Sequence, residues 1–411
     1  MISKVILALG ISTFSLYLNP AHAQAKPLKI ALIESLTGPQ AANGKMYENA
    51  SRFGVARINK DGGFNSVPVE LLVYDNAGSA STASDKFREA VANGATIVLQ
   101  AASSAINAQL SEDTRRHNLR NPADPVLFLN IGAEASELTG AKCHFYSFRL
   151  NTTTTMRGNA LLQVMNEANA LGDKVYSINQ NYALGQEMEQ TIVANAAKYN
   201  YTVVGKTLHD VARIQDFTPF VAKISASKPT SVITANWAND LLLLAKAMSE
   251  ANLKTGLGGM YFDQPGNVAS AGPIILGSYT SSPYNIEGDK SSMPEDFKTL
   301  IGKYPMASEA HSVNMYLFLQ QALKKADPRG GKISIKAVAE ALETTSIESP
   351  VGHVSMRRED HQAILPVMVS KASENARFPL DGTKIGFTVV SVIPGKDAIY
   401  PVQESCKMQR P

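Results

Sequence analysis

From residue 28 to residue 262, short apolar runs alternate with longer segments in which apolar residues recur every three or four positions. The short runs, such as residues 28–33 and 67–74, are typical of buried strands, and the longer segments are typical of amphipathic helices. The clearest helix spans about residues 44–59, and one side of it carries Met46, Tyr47, Ala50, Phe53, Gly54 and Ile58. Strands that alternate with helices predict parallel sheets with helices on both faces.

This alternation occurs twice along the chain. The predicted strands are 28–33, 67–74, 96–99 and 126–129, and then 174–178, 201–205, 231–234 and 259–262. The pattern predicts an α/β protein with two doubly wound parallel-sheet lobes. Connections are predicted near residues 148–150, 277–283 and 349–352. With these three crossings, the first lobe would hold residues 26–148 and 282–350, and the second would hold residues 149–281 and 351–411.

Residues 1–23 have the layout of a secretory signal peptide. Lys4 precedes an apolar run over residues 5–18, and Pro20 and Ala23 lie where a peptidase requires a helix end and small residues. The run has about 14 residues, whereas a membrane-spanning helix needs about 20. We therefore expect cleavage after Ala23 and export to the periplasm. An N-terminal anchor that is never removed is the alternative.

Composition limits the class of protein further. The 411 residues are too many for one compact core and fit two domains. The apolar fraction of 44% and the charged fraction of 18% are ordinary for a globular protein. A net charge of +3 is too small to indicate nucleic acid or an anionic membrane as a partner. We expect no membrane span after the signal peptide, because no later apolar stretch is long enough.

The sequence contains two cysteines, Cys143 and Cys406. An even number in an exported protein favours a disulfide, which here would fasten the C-terminal tail. The alternative is two free, buried thiols. The polar residues around Cys406 favour the disulfide, because such a tail has little reason to be buried.

Common enzyme motifs are absent from the sequence. It lacks G-x-G-x-x-G after the first strand, a phosphate loop, G-x-S-x-G, H-E-x-x-H and C-x-x-C. The histidines after the signal peptide are scattered. We therefore expect a binding protein without catalytic residues, a cofactor or a metal, although an enzyme without a recognisable motif would have the same pattern.

Ligands bind at the carboxyl ends of the strands in sheets of this kind. Ser103 and Ser104 follow the third predicted strand at the start of a helix, where hydroxyls, N–H groups and the helix dipole favour a carboxylate. Alternatively, these serines only cap the helix. After the fourth strand, Gly132 and Ala133 leave room for a ligand against the backbone. Glu134 is either a contact for an ammonium or hydroxyl group or a solvated loop charge.

Three predicted strands of the second half are followed by aromatic or acidic residues. Tyr182, Trp237 and Asp263 are the members of this set that can face a cleft. Trp237 is the only tryptophan. Its ring can stack on a ligand or pack in the core, and the sequence is compatible with both.

Several segments carry a resemblance to a known family. They are residues 30–39 (IALIESLTGP), 59–63 (NKDGG), 73–75, 102–104 (ASS), 132–139 ending in SELT, Tyr182 with Gly185, and 350–362 (PVGHVSMRREDHQ). On these segments the chain resembles the periplasmic solute-binding proteins of the leucine/isoleucine/valine type. The resemblance implies a type I periplasmic binding fold, no catalysis, and delivery of a small-molecule ligand to an ABC permease of the inner membrane.

The resemblance also implies roles for individual residues. Ser103 matches the serine that holds the ligand carboxylate, and Ala133 matches a small residue whose backbone contacts the ligand. Tyr182 matches the aromatic lid residue of the second lobe. Asp263 most nearly matches the acidic residue that takes the α-ammonium group. These matches favour an amino acid as the ligand and a monomer as the functional unit.

Three positions depart from the family pattern. Glu134 stands where the family often has threonine, Asn43 replaces a tyrosine, and Trp237 falls on or beside an aromatic contact. The changes favour a larger or more polar solute than leucine, and relatives of this type also bind aromatic carboxylates and amides.

Two other classes of protein remain as alternatives. A receptor's ligand-sensing domain would continue into a membrane segment after Pro411, and a secreted hydrolase would need a base beside Ser103.

Overall fold

The computed structural model describes residues 27–64, 67–326, 333–350 and 352–411. The predicted signal peptide, residues 1–23, lies outside the described residues. The strands are β1 (Lys29–Glu34), β2 (Glu70–Asp75), β3 (Ile97–Gln100), β4 (Leu127–Asn130), β5 (Ser147–Arg149), β6 (Lys174–Gln180), β7 (Thr202–His209), β8 (Ser231–Thr234), β9 (Gly256–Gly259), β10 (Tyr279–Ser282), β11 (Ser346–Ser349), β12 (Gly352–Arg357), β13 (Gln362–Ile364), β14 (Val367–Ser373) and β15 (Gly386–Ile393). The helices are α1 (Ala41–Lys60), α2 (Ala80–Ala92), α3 (Ser104–Arg120), α4 (Thr154–Glu167), α5 (Ala183–Asn195), α6 (Thr218–Ala226), α7 (Ala238–Glu250), α8 (Asn267–Ala271), α9 (Met293–Ile301), α10 (Ala307–Ala326), α11 (Ile335–Glu343) and α12 (Gly395–Ala398). Short 3₁₀ helices lie at Ser136–Thr139, Gly272–Ile275 and Ile286–Gly288.

The strands form two separate sheets. The first has the order β11-β12-β13-β5-β4-β3-β1-β2, and the second has the order β15-β14-β10-β9-β8-β6-β7. Neighbouring strands are parallel from β13 to β2 and from β10 to β7, and the remaining strands pair antiparallel at one edge of each sheet. The prediction of two doubly wound α/β lobes is therefore confirmed.

Each sheet is covered by helices on both faces. In the first lobe, α1, α10 and α11 bury one face of the sheet, and α2 and α3 bury the other. Strands β3 and β4 are buried along their whole length, as strands between two helical layers must be. In the second lobe, helices α4 to α8 enclose the sheet in one continuous apolar core.

Strand β9 differs from the prediction of a strand at residues 259–262. It precedes that segment and has the sequence GLGG, which carries almost no apolar signal. A Cβ atom at Gly258 would lie 2.5 Å from Met165 Sδ and 2.7 Å from Ile233 Cδ1. A side chain at Gly258 would therefore displace the ends of these two side chains, and glycine permits the close packing. The aromatic residues Tyr261 and Phe262 belong instead to the loop that follows β9.

The chain crosses between the lobes later than the sequence pattern indicates. The first crossing lies between β5 and α4 and the second between β10 and α9, near the predicted positions. A third crossing was expected at residues 349–352, with a lobe boundary after residue 350. Instead, Ser349 pairs with Gly352 in the hairpin of β11 and β12, and β13 continues the first sheet beside β5. The third crossing therefore lies between β13 and β14.

The C-terminal tail crosses once more and returns to the first lobe, although the sequence pattern placed residues 351–411 in the second. Ala398 and Tyr400 still pack against the core of the second lobe, whereas Met408 packs against the first. The predicted disulfide is present, with the Cα atoms of Cys143 and Cys406 5.5 Å apart. It joins the tail to the segment before β5.

None of the helices within the described residues has both the length and the hydrophobicity that a membrane span requires.

Removal of the disulfide should destabilise the protein. We expect the double variant Cys143→Ser, Cys406→Ser to lose about 2–4 kcal/mol of unfolding free energy, because the bond restricts the unfolded chain. Urea unfolding followed by circular dichroism measures the difference. The wild type in reducing agent should match the variant, and the agent should leave the variant unchanged. Equal stability of the variant and the oxidised wild type would contradict the expectation.

Candidate functional site

A cleft lies between the lobes at the carboxyl ends of the central strands. The empty space among its lining atoms is about 300 Å³, but only about 10 Å³ of it admits the centre of a water molecule, so the two walls lie close together. The first lobe contributes Asn43, Tyr47, Ala102, Ser104, Gly132 and Ala133, and the second contributes Leu184, Trp237, Tyr261 and Gln264. The cleft thus combines aromatic rings with amides and hydroxyls, which is typical of a site for a small organic ligand.

The start of α3 forms one wall of the cleft. Ser103 is the N-cap of this helix, and its Oγ accepts a hydrogen bond from Ile106 N at 3.5 Å. Ser104 lines the cleft, and its Oγ accepts from Ala135 N at 3.3 Å. Capping, which the sequence left open, is therefore present. Both hydroxyl protons remain available, but only Ser104 is among the residues that line the cleft, and Ser103 is buried behind it.

The loop after β4 forms the neighbouring wall. Asn130 Oδ1 accepts from Gly132 N at 3.1 Å and from Ala133 N at 2.8 Å, and its Nδ2 donates to Ala133 O at 2.8 Å. A Cβ atom at Gly132 would lie 2.7 Å from Ala101 Cβ and 2.9 Å from Tyr47 Oη, so only glycine fits. Ala133 lines the cleft, as expected, with its backbone groups already held by Asn130.

Glu134 is buried and ion-paired, which excludes a solvated loop charge, one of the two alternatives that the sequence left open. Its Oε1 accepts from Arg157 Nη1 at 2.6 Å, Asn151 Nδ2 at 3.2 Å and Thr152 Oγ1 at 3.2 Å. Its Oε2 accepts from Tyr261 Oη at 3.2 Å. With four donors on its two oxygens, Glu134 joins the lobes and has little capacity left for the ligand ammonium or hydroxyl group that was the other alternative.

Arg157, which the sequence analysis missed, is the partner of Glu134 from the second lobe. Its Nη2 also donates to the carbonyl oxygens of Met260 and Ser281, and its Cζ lies 4.6 Å from the centre of the Tyr261 ring. The guanidinium therefore fixes the loop that follows β9. One feature of the sequence could have indicated a role for Arg157: it is the one charged residue in the stretch Thr154–Asn166 of α4.

Two aromatic residues predicted for the site lie together in the second lobe. Trp237 Nε1 donates to Tyr182 Oη at 2.7 Å. Trp237 lines the cleft and also packs against the core of the lobe, so core packing is present and stacking on a ligand stays a prediction. Tyr182 lies behind it, and burial raises the pKa of its hydroxyl. The phenol therefore stays neutral and can accept the indole hydrogen bond.

Asp263 and Gln264 follow β9 on the same loop. Asp263 is half-buried, and burial raises the pKa of its carboxyl to about 6, against the opposing charge of Arg157. No other side chain in the described part of the chain forms a hydrogen bond with this carboxylate. Gln264 Oε1 accepts from Asn43 Nδ2 at 2.8 Å, which joins the lobes across the cleft.

Several cleft residues were not predicted. Tyr47 was assigned to the apolar side of α1, Tyr261 and Gln264 lay in a segment expected at a strand end but were not named as site residues, and Leu184 gave no signal of its own. Burial and the negative charges of Glu34 and Glu134 raise the pKa of Tyr47, so its hydroxyl is neutral in the cleft.

Removal of the Arg157 charge should destabilise the protein more than removal of the whole ion pair. Arg157→Met leaves Glu134 buried without a cation and should cost about 3–5 kcal/mol of unfolding free energy. The double variant Glu134→Gln, Arg157→Met should recover part of that loss. Urea unfolding of both variants measures the difference. A double variant no more stable than the single one would show that the charge of Glu134 is not the cause.

Comparison with known proteins identifies the family. Residues 27–377 match the family described as periplasmic binding protein. The relative from Brucella melitensis named Leu/Ile/Val-binding protein homolog 4 is 46% identical over 412 residues, covering 99% of each chain. The leucine-, isoleucine-, valine-, threonine-, and alanine-binding protein from Brucella ovis, solved in a closed conformation, is 46% identical. That match has a TM-score of 0.88 and covers 94% of this chain and 100% of that chain.

A more distant structure shares the fold alone. A solute-binding protein of an ABC transporter from R. palustris, in complex with benzoate, is 19% identical, with a TM-score of 0.79 over 93% of this chain and 100% of that chain. These likenesses confirm the two-lobed type I periplasmic binding fold expected from the sequence. The family match and the 46% identity over nearly the full length show that the chain belongs to the periplasmic binding protein family.

Proposed function

We propose that the chain is the periplasmic substrate-binding component of an ABC importer and that it binds an amino acid in the interlobe cleft. The observation that carries the choice of ligand is the arrangement of polar groups around the cleft. The start of α3 offers donors to a carboxylate, and Asp263, which lies in the chain between the cleft residues Tyr261 and Gln264, would offer an acceptor to an ammonium group. An amino acid carries both groups on one carbon atom.

The carboxylate of the ligand would bind at the N-terminus of α3. The backbone N–H groups of the first helical turn have no helical acceptors, and the helix dipole adds partial positive charge. The hydroxyls of Ser103 and Ser104 add two further donors. Their existing bonds use oxygen lone pairs, not protons, so the cap and the ligand contact are compatible.

The ammonium group would bind at Asp263. A half-buried carboxylate without a hydrogen-bonding side chain is costly once a closing cleft removes water from it. An ammonium group removes this cost, because it supplies both charge and donors. Glu134 cannot take this role as easily, because Arg157 and three further donors occupy it.

Closure of the lobes would complete the site. Asn43–Gln264 and Glu134–Tyr261 are contacts between the lobes, and Ser136 N donates to Glu187 Oε2 at 2.8 Å from the first lobe to the second. A ligand favours the closed form only by the additional contacts it makes there. The closed protein would then be the form that an inner-membrane permease recognises, and we propose that it acts as a monomer without catalysis.

A thermal-shift screen tests the proposed ligand class. The standard L-amino acids and a set of aromatic carboxylates, including benzoate, are added to the purified mature chain. A tight ligand raises the melting temperature by mass action. We expect the largest shift from an amino acid. A shift from aromatic acids alone would contradict the proposal.

Ser103→Ala should weaken binding of the amino acid that the screen selects. The expected loss is about 1–3 kcal/mol, because a carboxylate oxygen loses a buried donor. Calorimetry measures the affinity. Ser334→Ala is a matched control, because Ser334 caps α11 in the same way, away from the cleft. Equal affinities of the wild type and Ser103→Ala would remove this serine from the site.

Asp263→Asn should discriminate between an amino acid and its deaminated acid. The variant should lose about 1.5–3 kcal/mol of affinity for the amino acid, since it loses a charged hydrogen bond to the ammonium group. It should bind the acid that lacks the amino group no more weakly than the wild type does. Calorimetry with both compounds measures the difference. Equal losses for the two would place the ammonium group elsewhere.

A further inference from the structure

The C-terminal tail forms a fourth connection between the lobes. At its start, α12 packs against α4, and Ala398 and Tyr400 contact the apolar core of the second lobe. At its end, Cys406 is joined to Cys143 of the first lobe by the disulfide. We call residues 395–406 the strap, because one end is bound to each lobe.

The strap lies against the hinge. A Cβ atom at Gly395 would lie 2.7 Å from Leu365 N, so the start of the strap packs closely against the third crossing, between β13 and β14. Tyr400 contacts both lobes. It packs against the core of the second lobe, and its carbonyl oxygen accepts from Arg357 Nη1 of β12 at 2.6 Å. A residue bound by both lobes loses contacts with one of them when the lobes separate.

Gln403 joins the strap to a contact between the lobes. Its Nε2 donates to Ser136 O at 3.0 Å, and Ser136 N donates to Glu187 Oε2 of the second lobe at 2.8 Å. Thr155, at the start of α4, donates to Glu187 Oε1 through its N–H at 3.1 Å and through its hydroxyl at 2.6 Å. Since α4 follows the first crossing, the strap is connected to the first crossing as well as to the third.

The disulfide keeps the first-lobe end of the strap in place. Gln403 packs over Gly140, whose lack of a side chain leaves room for it, and beyond the strap Arg410 pairs with Glu343. These contacts are reversible, whereas the disulfide is covalent. It holds Gln403 beside Ser136 at a high effective concentration, so their hydrogen bond re-forms readily after it breaks.

The contacts of the strap belong to the closed form of the protein. The walls of the cleft lie close together, and Asn43 and Gln264 are hydrogen-bonded across it. Contacts that are lost on opening shift the equilibrium between the two forms toward the closed one. If the ligand binds the closed form, a larger closed population lowers the observed dissociation constant.

We propose that the strap restrains the opening of the lobes and that the disulfide, by anchoring it, raises the affinity of the cleft for its ligand. The restraint is a property of the ligand-free protein, and only its effect on affinity rests on the proposed function. With the disulfide intact, opening requires Tyr400 or Gln403 to give up a contact. Without the disulfide, the whole strap can leave the first lobe and follow the second.

Small-angle X-ray scattering of the ligand-free protein tests the restraint. The wild type is compared with the double variant Cys143→Ser, Cys406→Ser, after circular dichroism has shown that the variant is folded. We expect a larger radius of gyration for the variant, because its lobes open further. Ser334→Ala controls for lost stability, since it removes the cap of α11 in the same lobe, and it should leave the radius unchanged. An equal or smaller radius in the cysteine variant would overturn the proposal.

Gln403→Ala tests the strap with the disulfide left in place. The variant loses the hydrogen bond to Ser136, so its radius should increase by less than that of the cysteine variant. An unchanged radius would overturn the role given to Gln403. It would overturn the whole proposal if the cysteine variant does not fold.

Calorimetry tests the effect on affinity. The probe is the L-amino acid with the largest thermal shift. We expect the dissociation constant of the cysteine variant to rise about fivefold or more, as is typical of coupling between separate sites, and that of Ser334→Ala to match the wild type. A larger radius with an unchanged affinity would overturn the coupling to the ligand. If no amino acid binds, the proposed function fails, whereas the scattering comparison still decides whether the strap restrains the lobes.

Discussion

The ion pair of Glu134 and Arg157 determines how the two lobes face each other. It is buried, so its desolvation is compensated only if every remaining oxygen and N–H group finds a partner. Glu134 finds them in Asn151, Thr152 and Tyr261, and Arg157 finds two carbonyl oxygens of the second lobe, whereas its Nε is buried without a hydrogen-bond partner, so the compensation is incomplete. The pair lies beside the first crossing of the chain. Because Glu134 and Arg157 lie close to this hinge, they move apart only a little when the far ends of the two lobes separate.

The same ion pair determines where the ligand-binding loop of the second lobe lies. Arg157 holds the carbonyl of Met260, and the hydroxyl of Tyr261 reaches Glu134. The next residues along the chain are Asp263 and Gln264. Their positions relative to α3 therefore depend on contacts that cross between lobes, and loss of the pair would move both walls of the cleft. A buried charge pair is a weak source of stability but a specific determinant of geometry.

The sequence predicts the fold well where burial is uniform. Strands such as β3, β4 and β8 are buried on both faces, so their apolar runs predict them within a residue or two. Strand β9 was misplaced because it is built mostly of glycines, whose packing against Met165 leaves no hydrophobic signal. The third crossing was misplaced for a related reason. Proline and glycine at residues 350–352 indicate a turn, and a hairpin turn and a linker have the same local composition.

The sequence predicts site residues within each lobe, but it does not predict the contacts between the lobes. The rule that ligands bind at strand ends led to Ser104, Ala133 and Trp237, which line the cleft, and the family resemblance led to Asn43. The rule could not reveal that Gln264 meets Asn43, or that Arg157 occupies Glu134. Such contacts join residues more than a hundred positions apart or on opposite lobes, and no local pattern encodes them.

The protein's own hydrogen-bond donors are distributed unevenly among its carboxylates. This favours a ligand with both a carboxylate and an ammonium group over a ligand that is a simple anion. Glu34 and Glu134 are each held by four donors of the protein, whereas no side chain among the described residues forms a hydrogen bond with Asp263. An aromatic acid could bind its carboxylate at α3 and stack on Trp237. On closure, however, it would leave Asp263 facing an apolar ring without water. A polar group left unpaired in this way lowers the affinity for the wrong ligand more than the loss of a few apolar contacts does. In the proposed function, the aromatic lining of the cleft would therefore govern the shape of the ligand's side chain, and Asp263 would govern whether an amino group must accompany it.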